Sequence, residues 1–289
     1  MYEKILVTLD GSRLAETIVP YVAQLAAALG SQVTVLHVAT AEPPSSTKDY
    51  STPSHEYLEG IAAKVLQAGV LKADRHMAAG EAHKEIVSFA EGNGYNLIAM
   101  ATHGRSGLGR WAFGSTADKV LQTSTLPLLL RRPPEGATAA GSKPVSSLVV
   151  PLDGSTVAEG ALPVVQEVAR RMKVPVTLLR VVPIIGNLAA GPEPYAFDPR
   201  VDAEMEAAAE KYLSQVREGF QRMGLEATTK LKRGYPPNQI LEHAETVPGA
   251  LIVMTTHGRS GVSRWVLGSV ADRVLRTGQA PVLLLRAKG

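Results

Sequence analysis

Residues 101–131, ATHGRSGLGRWAFGSTADKVLQTSTLPLLLR, combine residue types that can capture an anion. Glycines stand at 104, 107, 109 and 114, and His103, Arg105 and Ser115 lie among them. An apolar run, Tyr95 to Met100, precedes the stretch and reads as a buried strand. A helical segment opens at Ser115, and a second apolar run, Leu126 to Leu130, closes the unit. The first turn of a helix carries backbone N–H groups with no partner inside the helix. Together with the helix dipole they favour a phosphate at the N-terminus. Glycine lets the backbone approach a ligand closely and adopt positive φ.

The unit occurs twice. Residues 255–285 read TTHGRSGVSRWVLGSVADRVLRTGQAPVLLL, and THGRSG is identical at 102–107 and 256–261. Arg-Trp, Gly-Ser and Ala-Asp recur at the same offset of 154, so the chain is a tandem repeat.

Each candidate residue has a plain alternative. Ser115 to Asp118 and Ser269 to Asp272 match a capping box with Asp in the last place. Asp10 and Asp153 end the first strand of each half, where they would cap the next helix or meet a base or a ribose hydroxyl. His103 and His257 have no Ser–Asp arrangement or metal-spaced partner nearby, which weighs against catalysis. Arg105 and Arg259 would screen phosphate charge or be solvated surface. Trp111 and Trp265 fit packing better than stacking on a base. GxxxxGK[ST] is absent, which excludes a P-loop NTPase, and no GxGxxG follows the first strand.

The elements that must hold these residues alternate. In the first half, strand patterns cover Lys4–Leu9, Gln32–Val38, Ala73–Met77, Leu97–Met100 and Leu126–Leu130. Helical patterns cover Ser12–Leu29, His55–Gln67, Glu81–Glu91 and the segment from Ser115. Gly30 supplies a helix stop, and Thr40–Ser54 reads as a loop. The second half repeats the order with strands at 148–152, 176–181, 227–232, 250–254 and 283–285. Its helices are expected at 157–172, 202–222, 237–245 and from Ser269. Its loop Pro183–Arg200 is about a dozen residues longer than the counterpart. Pro133–Ser146 has linker composition. The expected domains are therefore 1–132 and 147–289, joined by 133–146. Strands alternating with helices imply an α/β fold of two open parallel sheets with helices on both faces. Ligands then bind at the carboxyl ends of the strands, where strand order reverses. Asp10, Val38 and Ala101–Gly104 should meet there.

The chain has 289 residues, enough for two domains, with 45% hydrophobic and 20% charged residues. A net charge of +3 without a basic run argues against a nucleic-acid surface. The lack of cysteine excludes disulfides and thiolate chemistry. No apolar run reaches the roughly 18–20 residues needed to span a bilayer. The N-terminus reads as a strand rather than a signal segment, so a cytoplasmic location is expected.

The strand-end Asp, the Val closing the second strand and the glycine loop after the fourth resemble the universal stress protein family. The resemblance covers both halves and looks like a tandem two-domain member. It implies a Rossmann-like, adenine nucleotide alpha hydrolase-like fold and ATP, with or without magnesium, as ligand. Nucleotide-binding members carry G-x2-G-x9-G-[ST]. Gly104 with Gly114-Ser115, and Gly258 with Gly268-Ser269, match its second part, while Ala101 and Thr255 replace the first glycine. By the resemblance, Asp10, Val38, Asp153 and Val181 lie around the adenosine. Gly104, Gly114, Ser115, Thr116, Gly258, Gly268, Ser269 and Val270 lie around the phosphates, with Met100, Ala101, Arg105, Met254, Thr255 and Arg259 completing the two sites. The expected activity is ATP binding in a stress-response or signalling role. A slow nucleotide hydrolase or transferase and a nucleotide-free interaction module are the rivals. The terminal apolar strands, 126–130 and 283–285, are expected to face each other within the chain as a pseudo-dimer, and a homodimer of the whole chain is a further expectation.

Overall fold

The computed structural model describes residues 1–39, 55–103, 113–184, 199–256 and 267–286. The first half runs β1 (Lys4–Thr8), α1 (Arg13–Glu16), α2 (Val19–Leu29), β2 (Gln32–Ala39), α3 (His55–Gln67), β3 (Lys72–Ala79), α4 (Ala82–Gly92), β4 (Leu97–Ala101), α5 (Ser115–Thr123) and β5 (Leu128–Arg131). The second half repeats it as β6 (Ser147–Pro151), α6 (Thr156–Glu159), α7 (Leu162–Met172), β7 (Val176–Val182), α8 (Pro199–Arg222), β8 (Ala227–Arg233), α9 (Pro236–Thr246), β9 (Ala250–Thr255), α10 (Ser269–Thr277) and β10 (Val282–Leu285).

These strands form one sheet in the order β3-β2-β1-β4-β5-β10-β9-β6-β7-β8. Neighbours within each half are parallel. The seam is antiparallel, with Leu128, Leu129 and Leu130 opposite Leu284, Leu283 and Val282. In each half the first strand lies between the second and the fourth, so the chain leaves β1 and β6 for opposite sides of the sheet. That reversal opens a crevice at their carboxyl ends.

Strand residues alternate between two apolar layers, as the pleat requires. Ile5, Val7, Val35, Ala99 and Leu129 join Leu148, Val150, Val253 and Leu283 in one core beneath α2, α3, α7 and α8. Leu6, Leu36, Ile98, Leu128 and Leu130 join Val149, Ile252 and Leu284 in the other, beneath α4, α5, α9 and α10. Both layers run unbroken across the seam. The outer strands instead carry Asp74, Arg75 and His76, or Lys230 and Lys232. Charge on an edge discourages pairing with another chain.

One expectation is corrected. The pattern Ser12–Leu29 is not one helix but α1 and α2, with Thr17 and Ile18 between them and Pro20 in the first turn of α2. Proline is accepted in a first turn but would remove a hydrogen bond in a helix interior. Pro163 marks the same break between α6 and α7. The stretch with linker composition is held where it meets the second half. Val145 is buried, and the Gln24 amide accepts its N–H and donates to its carbonyl, both at 2.7 Å. The Ser146 N–H bonds Gly249 O at 3.0 Å, so the stretch is tied to both halves.

Candidate functional site

The crevice of the first half begins at the turn after β1. Asp10 Oδ1 accepts the Ser12 N–H at 2.9 Å, and Ser12 Oγ accepts the Ala15 N–H at 3.1 Å. Gly11 makes the turn at φ 86°, a backbone that disfavours any Cβ. The second half matches: Asp153 Oδ1 accepts the Ser155 N–H at 2.9 Å, Ser155 caps α6, and Gly154 has φ 80°. Of the two alternatives read for Asp10 and Asp153, capping of the next helix is not the one that forms. Serine is the cap, and aspartate folds the turn that presents it.

The second wall is the neck of each glycine loop. The Thr102 N–H bonds Arg131 O at 2.8 Å, and the Gly114 N–H bonds Thr102 O at 2.7 Å. Thr256 with Leu285 O (2.9 Å) and Gly268 with Thr256 O (2.8 Å) repeat this closure. A Cβ on Gly114 would lie 2.6 Å from Thr102 O, so glycine is required there by the protein's own backbone, whatever the ligand.

α5 then starts without a side-chain cap. Gly114 is the N-cap (φ −59°, ψ 134°) and Ser115 the first helical residue, so the capping box read from the sequence does not form. Asp118 is drawn elsewhere: it accepts from Gln122 at 2.8 Å and pairs with Arg276 at 2.9 Å. Gly268 and Ser269 begin α10 in the same way. Among the described residues no acceptor bonds the N–H groups of Ser115, Thr116 or Ala117, nor those of Ser269, Val270 or Ala271. Such a pair of N-termini suits an anionic group.

Register places the remaining candidates. Thr8 of β1 lies beside Leu36 of β2 and Met100 of β4, so Asp10, Val38, Ala101 and Thr102 surround one strand end. Met100 and Ala101 are buried, and Val38 packs partly into the second core. Asp153, Val181, Met254 and Thr255 occupy the matching places, with Met254 and Thr255 buried. Gly104, Arg105, Gly258 and Arg259, like His257, Trp111 and Trp265, lie outside the described residues. His103 Nδ1 is 3.0 Å from Thr102 Oγ1. A cleft of about 810 Å³ opens beside it, bounded by Leu14 and Arg132 and, across the seam, by Asn238, Glu242 and Arg273. That volume is within the roughly 300–1,000 Å³ of small-molecule sites. Among the described residues no group of three His, Asp or Glu side chains could hold a metal ion.

Several residues at the crevice carry no motif. His37 is buried, with Nδ1 2.8 Å from Leu9 O. Its counterpart Arg180 lies against Gly154 and over the Tyr212 ring, 5.0 Å from the centroid. Burial pushes the Tyr212 hydroxyl well above the usual tyrosine range. Arg276 of α10 reaches the first half and lies over the Phe113 ring at 5.1 Å. The sequence signals these residues only as differences between the repeats: His37 against Arg180, and Gln122 against Arg276.

A model of the universal stress protein family matches residues 1–132 and again 145–286. A universal stress protein of Methanocaldococcus jannaschii is 32% identical over 149 residues, 50% of this chain and 85% of that protein. The universal stress protein YxiE of Bacillus subtilis is 31% identical over 149 residues, 46% of this chain and all of that protein. The crystal structure of a universal stress protein from Archaeoglobus fulgidus aligns over 99% of both chains with a TM-score of 0.68 and 20% identity, a likeness of fold. Among the described residues no helix is long and apolar enough to cross a membrane.

Proposed function

The chain belongs to the universal stress protein family through both of its halves, and from that premise we propose that it binds ATP at the carboxyl ends of β1 and β4 and acts in stress response or signalling. The observation that carries this reading is the start of α5 and of α10. Each presents first-turn N–H groups without an acceptor among the described residues, beside a neck closed by the same backbone bond. Ser115 and Thr116 would meet the phosphates of the first site, and Ser269 and Val270 those of the second. Asp10 with Val38, and Asp153 with Val181, would line the adenosine end. Magnesium would come with the phosphates, since the described side chains form no metal cluster of their own.

Mass spectrometry of small molecules released from the purified protein, with calorimetric titration of ATP, tests the assignment. Adenine nucleotide in the released fraction and saturable ATP binding are expected. Absence of both would overturn it. A second reading, slow nucleotide hydrolysis, draws on His103 with Nδ1 beside Thr102 Oγ1 at the edge of the cleft. A single-turnover assay with ATP and magnesium separates the two: product formation lost on His103→Ala would favour hydrolysis.

A further inference from the structure

The repeats share their phosphate-facing turns but not the surroundings of those turns. Arg276, on α10 of the second half, makes three contacts with two elements. Its Nε bonds Asp272 Oδ1 at 2.7 Å, one helical turn back on its own helix. Its Nη2 bonds Asp118 Oδ1 at 2.9 Å, on α5 of the first half. Its guanidinium lies over the Phe113 ring at 5.1 Å. Phe113 directly precedes Gly114, the N-cap of α5, and Asp118 donates its own N–H to Gly114 O at 2.9 Å. One side chain from the second half therefore holds both flanks of the Gly114–Ala117 turn, one by a charged hydrogen bond and one by a cation–π contact.

The repeat offset of 154 shows that the arrangement is not reciprocated. Position 276 corresponds to Gln122, and position 113 to Leu267. Gln122 donates to Asp118 at 2.8 Å on its own helix. An amide has neither the charge nor the reach of the guanidinium fork. A leucine at 267 offers no aromatic face for a cation.

We propose that Arg276 is a positioning residue for the first nucleotide site, so that the first site depends on the second half while the second site stands without the first. The inference deepens the nucleotide-binding reading and rests on it. Arg276 acts through Phe113 and Asp118, which set the aim of the Ser115 and Thr116 N–H groups.

Arg276→Gln tests this, because glutamine is what the first half carries at the matching position and can still bond Asp272. Trp111 and Trp265, one in each glycine loop, allow the sites to be read separately. In a Trp265→Phe background, Arg276→Gln is expected to weaken ATP binding reported by Trp111 roughly three- to tenfold. In a Trp111→Phe background, binding reported by Trp265 is expected to stay unchanged. Equal effects on both reporters, or none, would overturn the inference. Hydrogen exchange of the ligand-free protein gives a readout that does not need ATP. Amides 118–121, the first of α5 to have acceptors, are expected to exchange faster in Arg276→Gln while amides 272–275 do not change, and unaltered protection at 118–121 would overturn the inference. Failure of both tryptophans to respond to ATP would instead count against the nucleotide reading, with the exchange result still deciding the role of Arg276. Arg276→Lys keeps the charge but not the guanidinium fork that bonds Asp272 and Asp118 together, and should behave as Arg276→Gln does. Full recovery with lysine would show that charge alone suffices and would also overturn the inference.

Discussion

Ser115 and Ser269 allow the proposed phosphate contacts to be tested without disturbing the fold. Each is exposed and is the first residue of its helix, and neither N–H has an acceptor among the described residues. Proline is well accepted at a first helical position, where its missing N–H costs the helix nothing. It restricts the preceding residue to extended backbone, which Gly114 (φ −59°, ψ 134°) and Gly268 (φ −63°, ψ 145°) already have. Ser115→Pro and Ser269→Pro are therefore expected to keep the melting temperature while weakening ATP binding at their own site. A hydrogen bond to a charged group is worth roughly 1.5–3 kcal/mol, so the loss should be about ten- to a hundredfold. Calorimetry showing unchanged affinity in either variant would place the phosphates elsewhere. Gly114→Val is a poorer test, since a Cβ there meets Thr102 O before it meets any ligand. His243 carries a second prediction. It occupies on α9 the place of Phe89 on α4, which stacks on His76 at 4.3 Å. Burial first, then Lys232 and Lys230, lowers its pKa below the ordinary 6.5. Above about 6.5 the histidine is neutral both folded and unfolded. As pH falls below that value the unfolded chain takes up the proton first, so stability declines until the lowered folded pKa is passed. His243→Phe should thus stabilise the protein at pH 5 more than at pH 8, as read by denaturant midpoints. A pH-independent difference would remove the electrostatic account.

Among the elements, α8 departs furthest from its counterpart, with 24 residues against 13 in α3. Its first turns are pinned by Arg233 at the end of β8, which donates to the buried Asp202 and to Glu206 at 2.6 Å. Arg233→Gln is expected to leave the Asp202 carboxylate without its cation and to fray the start of α8. Faster hydrogen exchange over residues 200–206, with 210–220 unchanged, would show it; uniform exchange along the helix would not. The sequence was most legible where periodicity was strong. β1, β2, β4 and α3 lie where their patterns predict, because apolar layers on both sheet faces impose those patterns. It was least legible where one residue overrides a pattern. The apolar spacing of 12–29 runs through Pro20, and only the proline marks the break. β3 extends beyond the weak run 73–77 because its pairing with β2 sets its ends, from Lys72 to Ala79. At the site, Asp10, Gly114 and Ser115 stood out by repetition, whereas Arg276 and Asp118, 158 positions apart, meet only through the seam. No local pattern encodes that contact.

For the molecule as a whole, the seam decides what each half can do alone. Leu128, Leu129, Leu130, Val282, Leu283 and Leu284 are each at most 2% exposed, and both cores continue through them. Burying one such side chain contributes about 1.5–3 kcal/mol, so uncovering even two would remove much of a typical domain's 5–15 kcal/mol. Long side chains lace the seam from both directions. Arg132 donates to Thr277 O at 3.2 Å near the end of α10, and Arg286 to Leu121 O at 2.6 Å near the end of α5. Cations at helix C-termini are favourable, and burial brings the Arg286 guanidinium down to about 10, still charged at neutral pH. A polypeptide of residues 1–132 would expose β5 as an apolar edge while keeping Arg132. It is therefore expected to pair through β5 with a second copy, giving a homodimer by light scattering. That dimer would lack the Arg276–Asp118 bridge, because Gln122 stands in its place. Adding residues 145–286 should then convert it to the mixed pair found within the chain. Leu129→Lys, placed opposite Leu283, should leave the isolated half monomeric or insoluble. A stable, soluble monomer of the unaltered first half would show that the two sheets are complete without each other, and that the seam is a consequence of tethering rather than its reason.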